Sequence, residues 1–489
     1  MYGEYTWVFK LYMLFKKAVM KFTIKYTIPI ILLLMVTSLA SCKKYLDVIP
    51  KGRKIPTTLA DYEALVRDEY TNHRAPVTQS VLLLNDRWES QANLNYYPLW
   101  KANYYWDVNT NRISLNTTDE SAYYTAYSAI STFNLILEHA STATDATDEE
   151  KNTLMAQARL GRAMHYFVLV NYYADTYEAS NAASKLSVPL IESADIDAPH
   201  KQVTIQEMYD YIINNVTEAI PHLPEEGATI VHGTKGAAYA FLARVYLQMS
   251  NYDQALINAN EALARNDKLF DYVDYYNSYK AQIDQPDNYP SLPSPRGYDY
   301  VENYIMMHGE SIYSRRESHL RVDRAARFET GDAMLLCRWK PRVVGSETYY
   351  YAITTGYYNE GGITTTEVYM IKAECLARKN DIDGAMDVLN AVREKRILPA
   401  HYAPLTAGTT QEAIEYIRRT KENETLFSIV AFGDMRRFNK DPLYARTYTK
   451  TENGETLTLS PDSHMWTMPI PLGAVKNAGN GTIQQNVNQ

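Results

Sequence analysis

Residues 239–262 read YAFLARVYLQMSNYDQALINANEA. Leu242, Ala243 and Tyr246 fall on one face of a helix, and Tyr252, Ala255, Ala259 and Ala262 continue the pattern on the next. This i, i+3, i+4 recurrence marks the inward face of an amphipathic helix. The alanines let two antiparallel helices approach closely while the larger side chains fill the groove, the pattern of a tetratricopeptide helix pair with its repeat of about 34 residues. Residues 369–392, YMIKAECLARKNDIDGAMDVLNAV, repeat the scheme through Ala373, Leu376, Ile382, Ala385 and Leu389. The two copies lie 130 residues apart, counted from Ala255 to Ala385, so they do not form a simple tandem array. The spacing predicts a mainly α, tetratricopeptide-like helical-repeat scaffold interrupted by a long insertion.

Working outward, the same periodicity predicts helices over 121–138, 148–174, 204–221, 235–249, 252–265, 365–379, 382–395 and 410–427. The first begins earlier, at LADYEALVRDEY, with Thr58 as its N-cap. The helical-repeat frame thus covers about 58–265 and 364–489. Between them, residues 266–363 carry Pro286, Pro290, Pro293, Pro295 and Pro341 with many tyrosines, and read as an irregular, tyrosine-rich insertion. Irregular stretches of this length in compact proteins are commonly functional or disordered. A shorter break spans 88–106, where aromatics replace the helical pattern.

The N-terminus has a different character. Lys21 and Lys25 precede the apolar run IPIILLLMV (28–36), and the small residues Ser38, Ala40 and Ser41 follow it. That order is the one found in secretory signals, and the run falls short of the roughly 20 apolar residues of a spanning helix. Residues 1–41 are therefore expected to be a signal peptide, with Met20 as an alternative start. Leu39-Ala40-Ser41-Cys42 resembles a bacterial lipobox, which makes Cys42 the expected lipidated first mature residue. Residues 42–57, with two prolines, a glycine and several cations, read as an extended tether ahead of a single domain over 58–489.

Net charge is −8 for the whole chain and −12 once residues 1–41 are removed. A polyanion would meet repulsion rather than release counterions, so nucleic acid is not an expected partner. Cys337 and Cys375 show neither metal-ligand nor disulfide-framework spacing and read as buried thiols. The ten histidines are scattered without HExxH, and neither GxSxG nor GxxxxGK occurs. No enzyme, cofactor or metal centre is expected. The tyrosine content, 42 against 11 phenylalanines, instead suits apolar faces with polar tips set near water or a polar ligand.

Sugar rings present C–H faces that stack on indole and phenol rings while their hydroxyls seek polar neighbours. The candidate ligand-binding residues are therefore Trp88, Trp100, Tyr104, Tyr105 and Trp106 in one cluster, and Tyr275, Tyr276, Tyr298, Tyr300 and Trp339 in the insertion. The arginines 315, 316, 321, 324 and 327, set among Glu317, Asp323 and Glu329, read as an ion-paired helix surface rather than an anion site.

Several segments in order resemble the SusD/RagB family of surface lipoproteins of Bacteroidetes nutrient-uptake systems. They are CKKYLDVIPKG (42–52), YSAISTFNLILEH (127–139), LMAQARLGRAMHYFVLVNYYAD (154–175), VTIQEMYDYIINNVTEAIPHLP (203–224), the two helix pairs, GDMRRFN (433–439) and MPIPLGAVKNAGNGTIQQN (468–486). Departures occur at Gln157 and Ala474, where the family pattern carries acids, and at Ala174-Asp175, where it has Gly-Asp. The resemblance implies a lipid-anchored outer membrane protein facing the cell exterior. It would capture a glycan or oligosaccharide and pass it to a SusC-like TonB-dependent transporter. An oligopeptide ligand, or a scaffold that binds only partner proteins, are the alternatives it leaves open.

Overall fold

The structure is a computed structural model in which residues 11–17, 56–116, 122–309, 317–452, 454–479 and 481–486 are described. The chain divides into two compact units, Met1–Pro56 and Thr57–Gln489. In the first, residues 11–17 are helical and exposed. The signal run, Cys42 and nearly all of its tether lie outside the described residues, as do Arg315 and Arg316. Among the described residues no helix is long and apolar enough to cross a membrane.

The second unit is a frame of packed helices: α1 (Leu59–Val66), α2 (Ala122–His139), α3 (Asp148–Tyr173), α4 (Ile205–Ala219), α5 (Lys235–Gln248), α6 (Tyr252–Leu263), α7 (Thr365–Arg378), α8 (Ile382–Glu394), α9 (Thr410–Glu424) and α10 (Ile429–Asn439). Their N-termini carry the side chains expected of helix starts. Thr58, Thr147 and Thr204 each accept from the N3 amide while Asp61, Glu150 and Glu207 return a bond to the cap, a reciprocal box that satisfies two otherwise orphaned donors.

Neighbours in sequence pack as antiparallel pairs, α2 on α3, α3 on α4, α5 on α6 and α7 on α8. In addition α6 packs directly on α7, although 101 residues separate Leu263 from Thr365. The repeat broken in sequence is thus continuous in space, and the insertion loops out between two consecutive helices of one stack. Ala243, Ala255, Ala259, Ala262, Ala373 and Ala385 are all fully buried at these seams, which is what allows the close approach.

Buried polar groups brace the frame. Arg162 on α3 donates to Asn134 Oδ1 on α2 at 2.8 Å and to Asn215 Oδ1 on α4 at 2.6 Å, joining three helices. Arg244 on α5 forms a bidentate pair with Glu367 on α7, at 2.7 and 2.6 Å. Arg437 on α10 does the same with Glu374 on α7, both bonds 2.7 Å. Planar, charge-assisted forks of this kind fix helix orientation as well as adding energy. The arginines near 321–327 act likewise: Arg324 binds Asp86 at 2.7 Å, and Glu329 takes Arg393 and Arg419 at 2.8 and 2.9 Å.

The insertion is more ordered than its prolines suggest. It contains a helix, Tyr272–Ile283, and a hairpin, β1 (Trp339–Val344) and β2 (Glu347–Ala352), in unbroken register from Trp339↔Ala352 to Val344↔Glu347. The turn needs Gly345, whose φ of +62° an L side chain rarely adopts. Lys340 on β1 donates to the carbonyls of Ile283, Gln285 and Asn288 at 2.7, 2.5 and 2.8 Å, placing its charge at the negative end of the 272–283 helix. The break at 88–106 likewise holds two short helices, Gln91–Tyr96 and Pro98–Tyr104. Cys337 and Cys375 are buried free thiols, and burial pushes the Cys375 thiol up to about 12.

Candidate functional site

The hairpin is extended sideways by two short backbone stretches. Leu320 and Tyr350 exchange backbone hydrogen bonds at 2.9 and 2.8 Å, and the Trp88 amide donates to the His319 carbonyl at 2.9 Å. Three segments far apart in sequence are thereby laid side by side: 86–88, 319–321 and β2. Side chains alternate across paired backbone, so Tyr349 and Tyr351 share a face. His319 and Trp88 meet them there. Trp88 stacks on Tyr349 with ring centroids 4.0 Å apart and planes 13° from parallel. His319 stacks on Tyr349 at 5.2 Å and lies 4.8 Å from Tyr351. The Ala352 amide donates to His319 Nδ1 at 3.2 Å, so in the neutral ring the proton sits on Nε2 as a hydrogen-bond donor.

Beside this ridge opens a cleft of about 570 Å³. Trp88 and His319 form part of one wall, Trp100 another, and Val77, Val81 and Phe427 supply apolar surface. Trp100 is held by Tyr97, stacked at 4.2 Å, and by the Arg87 guanidinium 5.3 Å over its ring. Arg87 in turn pairs with Glu89 at 2.6 Å, and Glu89 Oε1 accepts from Asn93 Nδ2 at 2.7 Å. At another wall Glu317 is engaged by buried Arg338 and accepts from Thr354 Oγ1 at 3.0 Å. Arg338 itself lies 4.1 Å over the Trp339 ring. The cleft therefore combines half-exposed indoles with fixed amide and carboxylate groups. That combination suits a ligand with apolar faces edged by hydroxyls.

The sequence candidates separate into distinct places. Trp88 and Trp100 come together in the cleft, both only partly buried. Tyr105 lines a neighbouring cleft that shares Trp88 and Glu89 with the first, whereas Tyr104, at 3% exposure, is buried beneath that cleft with Arg321 and Lys450 over its ring. Trp106 does not join them: it is 6% exposed, donates Nε1–H to the Leu83 carbonyl at 2.7 Å and faces Lys450. Trp339, at 1% exposure, packs on Phe427, and Tyr300 is buried beside Phe270. These three leave no face open to a ligand, and Trp339 packs the insertion onto the frame through Phe427. Tyr276 is buried too, its hydroxyl donating to Asp284 at 2.7 Å. Tyr275 donates to the Pro293 carbonyl at 2.5 Å, within the insertion.

Tyr298 belongs to a separate group. Its hydroxyl donates to Glu69, its ring is 4.9 Å from Tyr357, and burial together with the Glu69 carboxylate pushes its phenol well above its ordinary value. Residues that the aromatic count overlooked are Tyr349, His319, Arg87, Glu89, Asn93 and Glu317. Only Tyr349 carried a readable signal, as alternate members of the run ETYYYA (347–352) fall on one strand face.

Residues 44–247 match the family profile described as SusD-like, starch-binding associating with outer membrane, and residues 345–488 match that of the SusD family. Among curated relatives, SusD-like protein P2 of Formosa agariphila is 29% identical over 205 residues, which is 39% of this chain and 38% of the relative. The chain thus matches well under half the length of that relative. A SusD superfamily protein from Bacteroides vulgatus superposes with a TM-score of 0.67 at 16% identity, over 88% of this chain and 99% of the other. One from Bacteroides thetaiotaomicron gives 0.64 at 17% identity, over 88% and 100%. A SusD-like carbohydrate binding protein from Bacteroides vulgatus gives 0.58 at 18%, over 87% and 97%. At such identities the likeness shows a shared, mainly helical fold.

Proposed function

We propose, from the premise that this chain belongs to the SusD/RagB family of non-enzymatic binding proteins, that it is an outer-membrane-associated carbohydrate-binding protein whose ligand rests on the Trp88 ridge. The observation that carries the reading is the stacked set Trp88, Tyr349 and His319 beside an open cleft whose other walls bring Trp100, Asn93 and Glu89. Aromatic faces take the C–H face of a pyranose ring. The amide and carboxylate groups take its hydroxyls, and the rigid backbone pairing beneath keeps the ring planes set before the ligand arrives, which limits the entropy lost on binding.

The finer reading is that Cys42 carries the lipid anchor and that the protein hands its glycan to a SusC-like TonB-dependent transporter from the outer face of the membrane. The chemistry supports a stable anchor, because one acyl chain binds a membrane only marginally and two or more hold it. Electrophoresis of the purified protein through gels cast with different polysaccharides tests the carbohydrate reading, since a binding polymer retards migration. Retardation by a glycan supports it. Retardation by none, together with binding to a peptide library, would replace it with the oligopeptide reading. Co-purification with a transporter in the absence of any small ligand would favour a pure scaffold.

A further inference from the structure

The cleft on which Tyr105 opens has a volume of about 680 Å³, against about 570 Å³ for the first, and Trp88 and Glu89 line both. Each falls in the range of roughly 300–1,000 Å³ that a single drug-sized ligand fills. A mono- or disaccharide would therefore use one of them and leave the other to water. The second cleft offers hydroxyl partners from three elements: Thr348 at the start of β2, and Thr451 and Thr456, which face each other across the hairpin β3 (Tyr448–Glu452) and β4 (Glu455–Leu459). Tyr105, half-buried, is held by its hydroxyl on Gln91 Oε1 at 2.7 Å and gives the cleft an aromatic wall of its own.

Charge narrows the ligand further. Both cations lining this cleft are already engaged. Arg321 is gripped by Asp323, at 3.0 and 3.3 Å, and by Glu452. Lys450 is 5% exposed, donates to Asn85 Oδ1 at 2.7 Å and to the Tyr104 carbonyl, and sits over the Tyr104 and Trp106 rings. Glu347, by contrast, is exposed on the cleft edge. A uronate or sulfate ester entering here would lose its hydration without gaining a free cation, which is costly for any ion.

We propose that the two clefts are one binding surface divided by Trp88, and that its ligand is a linear, uncharged oligosaccharide long enough to cross that residue and be held on both sides. This rests on the carbohydrate reading above and adds length and charge to it.

The test is calorimetric titration of the purified full chain with neutral oligosaccharide series (cello-, xylo-, manno- and malto-oligosaccharides) graded upward from the disaccharide, and with oligogalacturonides of matching lengths. In the series that binds, affinity should rise about tenfold between the disaccharide and the longest member, as one further stacked ring with its hydrogen bonds would give. Ala326→Trp and Thr449→Trp place bulk in the second cleft from two different segments at exposed positions that supply none of its named ligand partners. Each should bring the long ligands down to the affinity of the short ones while leaving the short ones unchanged. Equal affinity at all lengths, no effect of either tryptophan, or oligogalacturonides binding as tightly as neutral chains would overturn the inference and leave the carbohydrate reading standing. Binding to no member of any series would overturn both.

Discussion

The indole of Trp88 lies 4.0 Å from the phenol ring of Tyr349, nearly parallel to it, although 261 positions separate them in the chain. The pair exists because residue 319 bridges them: its carbonyl receives the Trp88 amide and its ring stacks on Tyr349. Offset stacking of two rings contributes roughly 0.5–1.5 kcal/mol beyond the area buried. A double-mutant cycle on Trp88→Ala and Tyr349→Ala, read by urea unfolding, should return a coupling of about that size. Coupling indistinguishable from zero would mean that the two rings merely happen to be adjacent.

Glu374 and Arg437 tie α7 to α10, and both are almost wholly buried. Burial alone would raise the Glu374 carboxyl, but the Arg437, Arg378 and Lys421 charges outweigh it and hold the group at about 2. Glu374→Gln leaves the buried Arg437 charge with only Asp434, at 3.3 Å, as its ionic partner and should destabilise the protein by up to about 3–5 kcal/mol at neutral pH. Replacing both residues with apolar ones of similar volume should recover much of that loss. Urea midpoints for the single and double variants decide this, and a single variant as stable as the parent would refute the bracing role.

His73 and His165 both pack against Phe133, with ring centroids 6.4 and 6.1 Å from its own, and burial pushes both down from about 6.5 to about 4. In the unfolded chain these rings take up protons as pH falls through 6.5; in the folded protein they do so only near 4. Protons therefore favour the unfolded state between those values. Stability should be intact above about pH 6.5 and fall as pH drops toward 4, by up to about 3 kcal/mol for each ring. Unfolding curves at pH 7.5 and 5.5 should separate less in His165→Leu than in the parent. An equal separation would assign the acid sensitivity to other groups.

Cys42→Ser should leave the helical signal by circular dichroism and the thermal midpoint unchanged while moving the protein from the membrane to the soluble fraction. Retention of the variant in the membrane fraction would refute the lipid anchor.

The helical frame was legible because burial and the 3.6-residue period coincide in it: the alanines of 239–262 and 369–392 lie where the periodicity puts them, at 0% exposure for Ala255 and Ala385. The helix at 272–283 was harder to read, since its inward face is built from tyrosines, whose polar tips blur the apolar pattern, and prolines crowd its C-terminal side. Within the site, Trp88 and Trp100 could be named from residue type alone. Trp106, Tyr300 and Trp339 could not be told from them, because an aromatic side chain looks the same in sequence whether it fills a core or faces a ligand. His319 escaped because its position depends on backbone pairing with β2 and with residues 86–88, the latter more than two hundred positions away, which no local pattern records.

The most direct test of the central claim compares the unmodified chain with Trp88→Ala by isothermal titration against the glycan that most strongly retards it in polysaccharide gels, with thermal unfolding of both as a control for folding. Loss of one stacked ring should weaken binding about two- to tenfold at an unchanged fold. An affinity for that glycan unaffected by Trp88→Ala would place the ligand elsewhere on the molecule and contradict the assignment of the Trp88 ridge as its binding surface.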